Sequence, residues 1–290
     1  MQEFAKLPKL RCSVIAFIMS VTTEKPQLPL WKRPAATIRA NKTLVKMRHQ
    51  RIGKRADVNW KPVFEILLVV SALVICCFLL IDRLVALQRG NVPEWLGPIS
   101  QFITRFGKAD WILYPTGVTL LVLTFVNVKA LSKTKLFKLY RWNLWLSFVF
   151  LGVGFPYLVS TILKLAIGRP RPSQLAEFGL YDFHPFAFDA VFASFPSGHA
   201  TIIGAFAMIM TLLLPKFRSI FGVIAILIGF SRVSVGAHHP SDVFAGLAVG
   251  CVLAFLVAKW FASRGVLFLS VERQWPELRP ALRPFSRLRH

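Results

Sequence analysis

Three short blocks of the sequence contain residue types that could move a phosphoryl group. The first block has Lys164 followed, seven positions later, by Arg171 and a proline. The second block is Pro-Ser-Gly-His and ends at His199, and the third runs from Ser-Arg to His238 and Asp242. Cations, imidazoles and one carboxylate therefore recur within a single region of the chain.

A phosphoryl group in transfer carries negative charge on its equatorial oxygens, so its catalysis depends on positioned cations and N–H donors. The candidate phosphate ligands are Lys164, Arg171, Ser197, Gly198 and Arg232. Arginine suits this task because its guanidinium is planar and always charged. Arg232 lies near the end of an apolar run, where a charge is costly unless a partner or a function retains it.

Phosphate hydrolysis also needs an attacking group and a proton for the leaving oxygen, and two histidines provide both near neutral pH. Asp242 lies four residues after His238 and is within reach of its ring. A carboxylate in that position fixes the imidazole tautomer and stabilises the cation that forms. His199 is then left to protonate the leaving alkoxide.

The elements that position these residues are predicted to be membrane helices. The chain has 290 residues, of which 55% are hydrophobic, and this is too apolar for an ordinary soluble domain. We expect an all-α polytopic membrane protein with six transmembrane helices. The predicted spans are Val63–Ile81, Trp111–Val128, Asn143–Leu163, His199–Leu214, Ile220–Gly236 and Val243–Phe261.

The distribution of basic residues predicts the topology. Of the 36 Lys and Arg residues, 28 lie in the terminal segments and in the connections expected on the same face, and eight lie on the other face. By the positive-inside rule, both termini are cytoplasmic and the site lies at the outer ends of helices 3 to 6. The net charge of +23 then reflects topology and attraction to anionic lipids at the cytoplasmic face, and no nucleic-acid partner is expected.

The two terminal segments are predicted to flank the helical domain of residues 63–261. Residues 1–62 contain 14 basic and three acidic residues and are expected to form a disordered cytoplasmic arm. A cleaved signal peptide is disfavoured because the apolar stretch Cys12–Met19 is short. Translation from Met47 stays open as an alternative, and residues 262–290 are predicted to form a basic cytoplasmic tail.

The three blocks together resemble the signature of the type 2 phosphatidic acid phosphatase (PAP2) superfamily. That signature reads Lys-x6-Arg-Pro, then Pro-Ser-Gly-His, then Ser-Arg-x5-His-x3-Asp, and all three parts are intact between Lys164 and Asp242. The resemblance implies a phosphohydrolase that needs no metal or other cofactor, with His238 as nucleophile, Asp242 as orienting acid and His199 as general acid. It also implies that the five candidate ligands named above bind phosphate.

Several residues near these blocks have simpler interpretations. Arg169 is interpreted as an interfacial anchor whose charge reaches the headgroups, since the motif spacing selects Arg171. His184 and His239 are interpreted as ordinary loop or capping residues. The aromatic run between Phe178 and Phe195 is typical of a membrane-interface belt, and it could also shape a path for lipid tails.

The function predicted from these features is that of a bacterial inner-membrane lipid phosphatase with a phosphohistidine intermediate and a periplasmic active site. The main alternative is a phosphotransferase that passes the phosphoryl group to another lipid. A metal-dependent hydrolase is disfavoured because the outer segments contain few carboxylates. A haloperoxidase fits the membrane placement less well, and a channel explains none of the three blocks.

The expected partner is a phosphorylated membrane lipid whose tails stay in the bilayer. The resemblance admits phosphatidic acid, phosphatidylglycerol phosphate, undecaprenyl diphosphate and lipid A. The last two are favoured slightly because both present phosphate on the outer face. The sequence leaves the oligomeric state open.

Overall fold

Helices account for almost all regular structure in the computed structural model, which describes residues 28–51, 60–88, 93–269 and 275–282. Within these ranges no strand forms beyond a single bridge between Phe268 and Leu278. The predicted all-α class is therefore confirmed. The helices are α1 Arg33–Arg51, α2 Lys61–Cys76, α3 Asp82–Leu87, α4 Leu96–Thr104, α5 Asp110–Thr124, α6 Lys133–Ile167, α7 Leu175–Phe178, α8 Gly198–Leu213, α9 Arg218–Ser234 and α10 Pro240–Ser263.

Helices occupy all six positions at which hydropathy predicts a membrane span. A π-helical turn, Cys77–Ile81, joins α2 to α3 so that the first of these helices is continuous. Among the described residues, four helical segments are long and apolar enough to cross a membrane: Val63–Leu87, Thr134–Phe178, Pro215–Ser234 and Pro240–Ser263. Helix α8 is apolar but shorter, and α5 has 15 residues.

Capping residues define both ends of the long helix α6. Ser132 caps its N-terminus, where the side chain accepts a hydrogen bond from the Lys135 amide. Gly168 ends it in the left-handed conformation, with φ of +62°. A side chain at Gly168 would also collide with the His184 carbonyl, because its Cβ would lie 1.8 Å from that oxygen. Glycine therefore fixes the direction in which the chain leaves α6.

Helix α8 lies at the centre of the bundle, between α6, α9 and α10. Its contact with α10 is close enough for backbone atoms to meet. A Cβ at Gly204 would lie 2.5 Å from the Leu247 carbonyl oxygen, and one at Gly250 would lie 2.1 Å from the Thr201 carbonyl oxygen. Small residues thus allow these two helices to approach more closely than side chains would permit.

The helix directions bring the predicted site residues to one end of the bundle. The C-terminal ends of α6 and α9 and the N-terminal ends of α8 and α10 lie there, joined by the hydrogen bond from the Ser197 amide to the Asp242 carbonyl (2.9 Å). The C-terminal end of the continuous helix formed by α2, the π-helical turn and α3, called the first membrane helix below, lies at the same place, because the Ser241 amide donates to Asp82 (2.9 Å).

Chain segments before and after the bundle pack at its opposite end. Residues 33–51, expected to be disordered, form α1 in the structure, and Thr37 is buried with its hydroxyl 3.4 Å from the Val126 carbonyl oxygen. This tertiary contact is the reason that the local prediction does not hold there.

In the segment after α10, Phe268 and Leu282 are buried, and Trp145 donates to the Leu282 carbonyl (3.2 Å). The rest of the predicted arm and tail lies outside the described residues.

Candidate active site

All eight residues predicted from the three blocks converge on one cluster. A Cβ at Gly198 would lie 3.7 Å from Lys164 Nζ, which places the start of α8 beside the end of α6. Lys164 interacts electrostatically with Arg171, Arg232 and Asp242. His199 interacts in the same way with His238, Lys164 and Arg232. Four helix ends thus place two imidazoles among three cations and one carboxylate.

His238 and Asp242 form a buried pair at the beginning of α10. Nδ1 of His238 lies 3.6 Å from Oδ2 of Asp242, an ion-pair distance longer than a hydrogen bond. The two side chains are 3% and 0% exposed. The same Asp242 oxygen accepts hydrogen bonds from the Ser194 hydroxyl (2.6 Å) and the His239 amide (2.9 Å). The carboxylate is therefore fixed, with one oxygen directed at the side of the imidazole that carries Nδ1.

Burial sets the protonation state of His238. Loss of solvent lowers the pKa of its imidazole to about 4, and Lys164 and Arg232 act in the same direction, whereas Asp242 opposes them. His238 is therefore neutral at physiological pH. A neutral imidazole retains a lone pair on one ring nitrogen, and this is the form that can attack phosphorus.

Neutral oxygen atoms of the protein position the three cations. Lys164 donates to the Ala193 carbonyl (3.0 Å), Arg171 Nε donates to the Ala190 carbonyl (2.8 Å), and Arg232 Nη1 donates to the Thr104 hydroxyl (2.6 Å). These contacts use one donor each, so further N–H groups of the cations are left for an anion. Nε of Arg232 is buried and has no hydrogen-bond partner among the described residues.

Ser197 precedes α8 at the N-cap position, yet its hydroxyl does not cap the helix. The hydroxyl oxygen is buried and makes no hydrogen bond with any described residue. A buried hydroxyl without a partner is costly, so its retention points to a ligand. The free amides and the dipole at the start of α8 also favour an anion at this position.

The structure shows that the interpretation of Arg169 as an interfacial anchor is wrong. Its side chain is 1% exposed, and its guanidinium donates to Asp242 Oδ1 (2.5 Å), to the Ser241 hydroxyl (2.8 Å) and to Asp82 Oδ2 (2.9 Å). The guanidinium carbon also lies 4.8 Å from the centre of the Phe78 ring. Arg169 thus belongs to the inner part of the site, behind Asp242.

The sequence did not single out Asp82, and it assigned Arg169 to the membrane interface. The available signal was an aspartate at the end of an otherwise apolar span, which is a functional indication in a membrane helix. Motif spacing drew attention to Arg171 instead, and spacing along the chain cannot show that Asp82 and Arg169, 87 positions apart, form a pair.

The interpretations of the two other histidines agree with the structure. His239 is the N-cap of α10, where its side chain and that of Asp242 form a capping box. The His184 ring packs against Phe192, with ring centres 4.3 Å apart. Within the described ranges, no group of three or more His, Cys, Asp and Glu side chains is arranged to hold a metal ion.

A largely apolar cavity of about 280 Å³ opens beside His238. It lies between the end of the first membrane helix, α4, α9 and the start of α10. Its lining residues are Val85, Ala86, Gln88, Pro93, Leu96, Pro172, Phe230, Val233, Ser234, Gly236, His238, His239 and Pro240. The site therefore combines a cationic cluster with an apolar chamber on one flank.

Comparison with known proteins places the same region of the chain in a known family. The family model described as the PAP2 superfamily matches residues 145–265, which contain all eight predicted site residues. A lipid A 1-phosphatase of Rhizobium johnstonii is 36% identical over 229 residues, covering 78% of this chain and 93% of the relative. A lipid A 1-phosphatase of Rhizobium etli is 39% identical over 63% of this chain and 79% of that protein. An undecaprenyl-diphosphatase of Sulfolobus acidocaldarius is 32% identical over 57% of this chain and 71% of that protein.

Proposed function

Because this chain belongs to the PAP2 superfamily, we propose that it is a lipid phosphatase that removes the 1-phosphate of lipid A. The observation that carries the proposal is the buried pair of His238 and Asp242 facing the cations Lys164 and Arg232. Apolar helices make the chain a multi-pass membrane protein, so a substrate held in the bilayer can reach the site by lateral diffusion.

The first chemical step is attack by Nε2 of His238 on phosphorus. Nδ1 faces Asp242, so Nε2 is the ring nitrogen directed away from the carboxylate. The new N–P bond forms as the bond between phosphorus and the lipid oxygen breaks. Desolvation and neighbouring cations disfavour a proton on free His199; the negative charge of a bound phosphate offsets them, so that His199 donates a proton to the leaving oxygen in the complex. Asp242 stabilises the positive charge that develops on the ring of His238.

The second step returns the enzyme to its starting state. His199, now neutral, accepts a proton from water, and the resulting hydroxide attacks the phosphohistidine. The N–P bond breaks, inorganic phosphate leaves, and His238 regains its neutral form. The first step phosphorylates His238 and deprotonates His199, and the second step frees His238 and reprotonates His199. The cycle therefore needs no metal or other cofactor.

Charge on the phosphoryl oxygens is stabilised throughout by the cationic cluster. Lys164, Arg171 and Arg232 supply the charge, while the Ser197 hydroxyl and the Gly198 amide supply hydrogen bonds at the start of α8. The Ser197 hydroxyl and Nε of Arg232 have no hydrogen-bond partner among the described residues. This supports the assignment, because a bound phosphate would give both groups a partner.

The choice of lipid A rests on the relatives. Two proteins named lipid A 1-phosphatase match this chain over most of their own length, at 36% and 39% identity. Undecaprenyl diphosphate is the second candidate, because the relative named undecaprenyl-diphosphatase is 32% identical. Both lipids carry a phosphate at the membrane surface and an apolar part that can lie against the cavity beside His238.

The placement of the site follows from the distribution of charge in the sequence. We expect the cluster to face the periplasm of a bacterial inner membrane, with both termini in the cytoplasm. The basic terminal segments then lie beside anionic cytoplasmic lipids.

Measurement of phosphate release by the purified protein in detergent tests the proposal. Lipid A, undecaprenyl diphosphate, phosphatidic acid and phosphatidylglycerol phosphate are compared as substrates. Lipid A should give the highest kcat/KM. A preference for undecaprenyl diphosphate would select the second candidate, and absence of release from all four would overturn the function.

Substitution of the nucleophile tests the mechanism. His238→Ala should abolish phosphate release, and a short incubation with ³²P-labelled substrate should leave an acid-labile label on the wild-type protein and none on the variant. His184→Ala is the matched control, because that ring packs against Phe192. Retained activity in His238→Ala, or activity lost to a chelator and restored by a metal, would exclude the proposed route.

The acceptor is tested separately with a lipid alcohol. Hydrolysis predicts free phosphate in proportion to substrate consumed, whether or not the alcohol is present. A phosphotransferase would instead produce a phosphorylated lipid alcohol and little free phosphate.

A further inference from the structure

Asp82 is a buried charge at the end of an apolar membrane helix, and its contacts lead to the active site. Its side chain is 1% exposed. Oδ1 accepts a hydrogen bond from the Ser241 amide (2.9 Å), and Oδ2 accepts from the Ser241 hydroxyl (2.5 Å) and from Arg169 Nη2 (2.9 Å). Every one of these partners belongs to α10 or to the segment after α6. The end of the first membrane helix is therefore tied to the two elements that present His238 and the cations.

The π-helical turn Cys77–Ile81 directs Asp82 towards these partners. A π turn contains one residue more than an α turn and so rotates the following residues by about 100° relative to a regular helix. Without this turn, Asp82 would point to a different side of the first membrane helix. Exposed neighbours such as Ile81 and Leu84 show that much of this helix surface is apolar and faces outward.

Arg169 binds both Asp82 and Asp242, and this arrangement determines which oxygen of Asp242 is left to face His238. One guanidinium nitrogen binds Oδ1 of Asp242, and the other binds Oδ2 of Asp82. The second oxygen of Asp242 is thereby left for the Ser194 hydroxyl, the His239 amide and the nearby ring of His238. Because two carboxylates share the single positive charge of Arg169, a net negative charge remains beside His238 and can stabilise its protonated or phosphorylated ring.

We infer that Asp82 is a positioning residue for phosphoryl transfer, which holds Arg169 so that Asp242 keeps one oxygen and part of its charge for His238. The inference rests on the proposed function, since it assigns to Asp82 a role in that reaction. Without the carboxylate at position 82, the whole positive charge of Arg169 falls on Asp242. The carboxylate then stabilises the cationic ring of His238 less well in the transition state.

The variant Asp82→Asn keeps the shape of the side chain and removes its charge. We expect kcat to fall by about 10- to 100-fold, with KM nearly unchanged, because Asp82 lies behind Asp242 and Arg169 and away from the phosphate ligands. Arg83→Gln is the matched control: it removes a charge one residue away, on an exposed side chain, and should behave as wild type. A value of kcat equal to wild type in Asp82→Asn would overturn the inference.

A double-mutant cycle distinguishes positioning from general structural support. If Asp82 acts through Asp242, then Asp82→Asn should cause little further loss of kcat when added to Asp242→Asn. If Asp82 merely supports the fold, the two losses should multiply, and that result would contradict the inference. The temperature of unfolding in detergent is measured for each variant.

Ser241→Ala provides a second test if Asp82→Asn does not fold. The Ser241 hydroxyl accepts from Arg169 and donates to Asp82, so its removal loosens the same network without leaving a charge unpaired. We expect a several-fold loss of kcat with KM retained, and wild-type kcat would contradict the inference. A wild-type protein without phosphatase activity would instead refute the proposed function, so the two failures are distinguishable.

Discussion

At the scale of single residues, burial decides what His238 can do. The ring is 3% exposed, and removal from water disfavours its charged form. The groups that face it are Asp242, Lys164, His199 and Arg232, from four different elements. Three of these groups are basic, and the one carboxylate does not compensate for desolvation. His238, the proposed nucleophile, is therefore neutral at any pH well above its lowered pKa of about 4.

This protonation state predicts the acid limb of the pH profile. The pKa of His238 is lowered to about 4, so activity should be lost as the pH falls through that value, and the protonation of His238 should not limit activity above it. The limb thus lies below the value of about 6.5 for a free imidazole. The measurement is kcat/KM against pH with two substrates whose phosphate pKa values differ, because a limb common to both belongs to the enzyme. A common midpoint near 6.5 would contradict the assignment.

The sequence predicted the residues of the three blocks better than the charged residues packed behind Asp242. Spacing within three blocks found His238, Asp242 and His199, because their chemistry constrains both residue type and order. Arg169 and Asp82 escaped because their role depends on a tertiary pairing between distant segments. A buried ion pair has no local pattern, and each partner considered separately resembles an interfacial charge.

At the scale of elements, the close contact of α8 with α10 fixes the relative positions of His199 and His238, the two histidines proposed to be catalytic. His199 lies in the first turn of α8 and His238 precedes α10, so a change in the spacing of the two helices changes the distance between the two imidazoles. Gly250 meets the backbone of Thr201 and Ala205, and Gly246 meets that of Ser197. Backbone atoms cannot rotate away as a side chain can.

Gly250→Ala should therefore separate the two helices. The added Cβ would lie 2.1 Å from the Thr201 carbonyl oxygen, and we expect a loss of about 1–3 kcal/mol in stability from overpacking, together with reduced kcat. Unfolding temperature in detergent and phosphate release measure the two effects. Gly222→Ala in α9 is the control, because nothing lies within 4 Å of its Cβ. Equal stability of the two variants would show that α8 and α10 can move apart at little cost.

The cavity beside His238 lies between elements and offers a test of substrate size. Ala86→Phe should fill part of its volume of about 280 Å³. We expect phosphate release from lipid A to fall several-fold, while p-nitrophenyl phosphate, which has no acyl chains, is hydrolysed as before. Ala130→Phe adds the same ring at an exposed position far from the cavity and should change neither rate. A parallel loss on both substrates would assign the cavity a structural role.

Hydropathy located the four longest helices of the bundle because each presents a long apolar run, whereas α5 and α8 are shorter. It could not identify α1, whose 19 residues are polar on most sides. That helix is held by packing such as the contact of Thr37 with Val126, which no local pattern reports. Boundaries also shifted where a cap decides the end of a helix, as at Gly168, the C-cap of α6, which lies five residues beyond Leu163, the predicted end of this span.

At the scale of the whole molecule, the uneven distribution of basic residues predicts the orientation in the membrane. Of 36 basic residues, eight lie in the connections that flank the site, although the site itself requires several of them. The other 28 lie in the terminal segments and in the connections that are predicted to face the cytoplasm. Insertion is expected to retain these basic segments in the cytoplasm.

Reporter fusions test this orientation in living cells. Alkaline phosphatase inserted after Phe188, a side chain that is 90% exposed, should be active if that connection faces the periplasm, as the charge distribution predicts. The same reporter after His290 should be inactive, and a fluorescent reporter there should give signal. The fusions are made in the His238→Ala background, so that the host protein adds no phosphatase activity. The reverse pattern would place the site in the cytoplasm.

The pairing of Asp82 with Arg169 also constrains how this protein can evolve. The first partner precedes the region matched by the family model, and the second lies within it. Substitution of either partner alone leaves the other charge buried and uncompensated, whereas joint replacement of both by apolar residues leaves no such charge. Substitutions at the two positions should therefore occur together across related sequences. A chimera that takes its first membrane helix from a relative should be active when the donor supplies a carboxylate at this position, and should otherwise need a compensating change at Arg169.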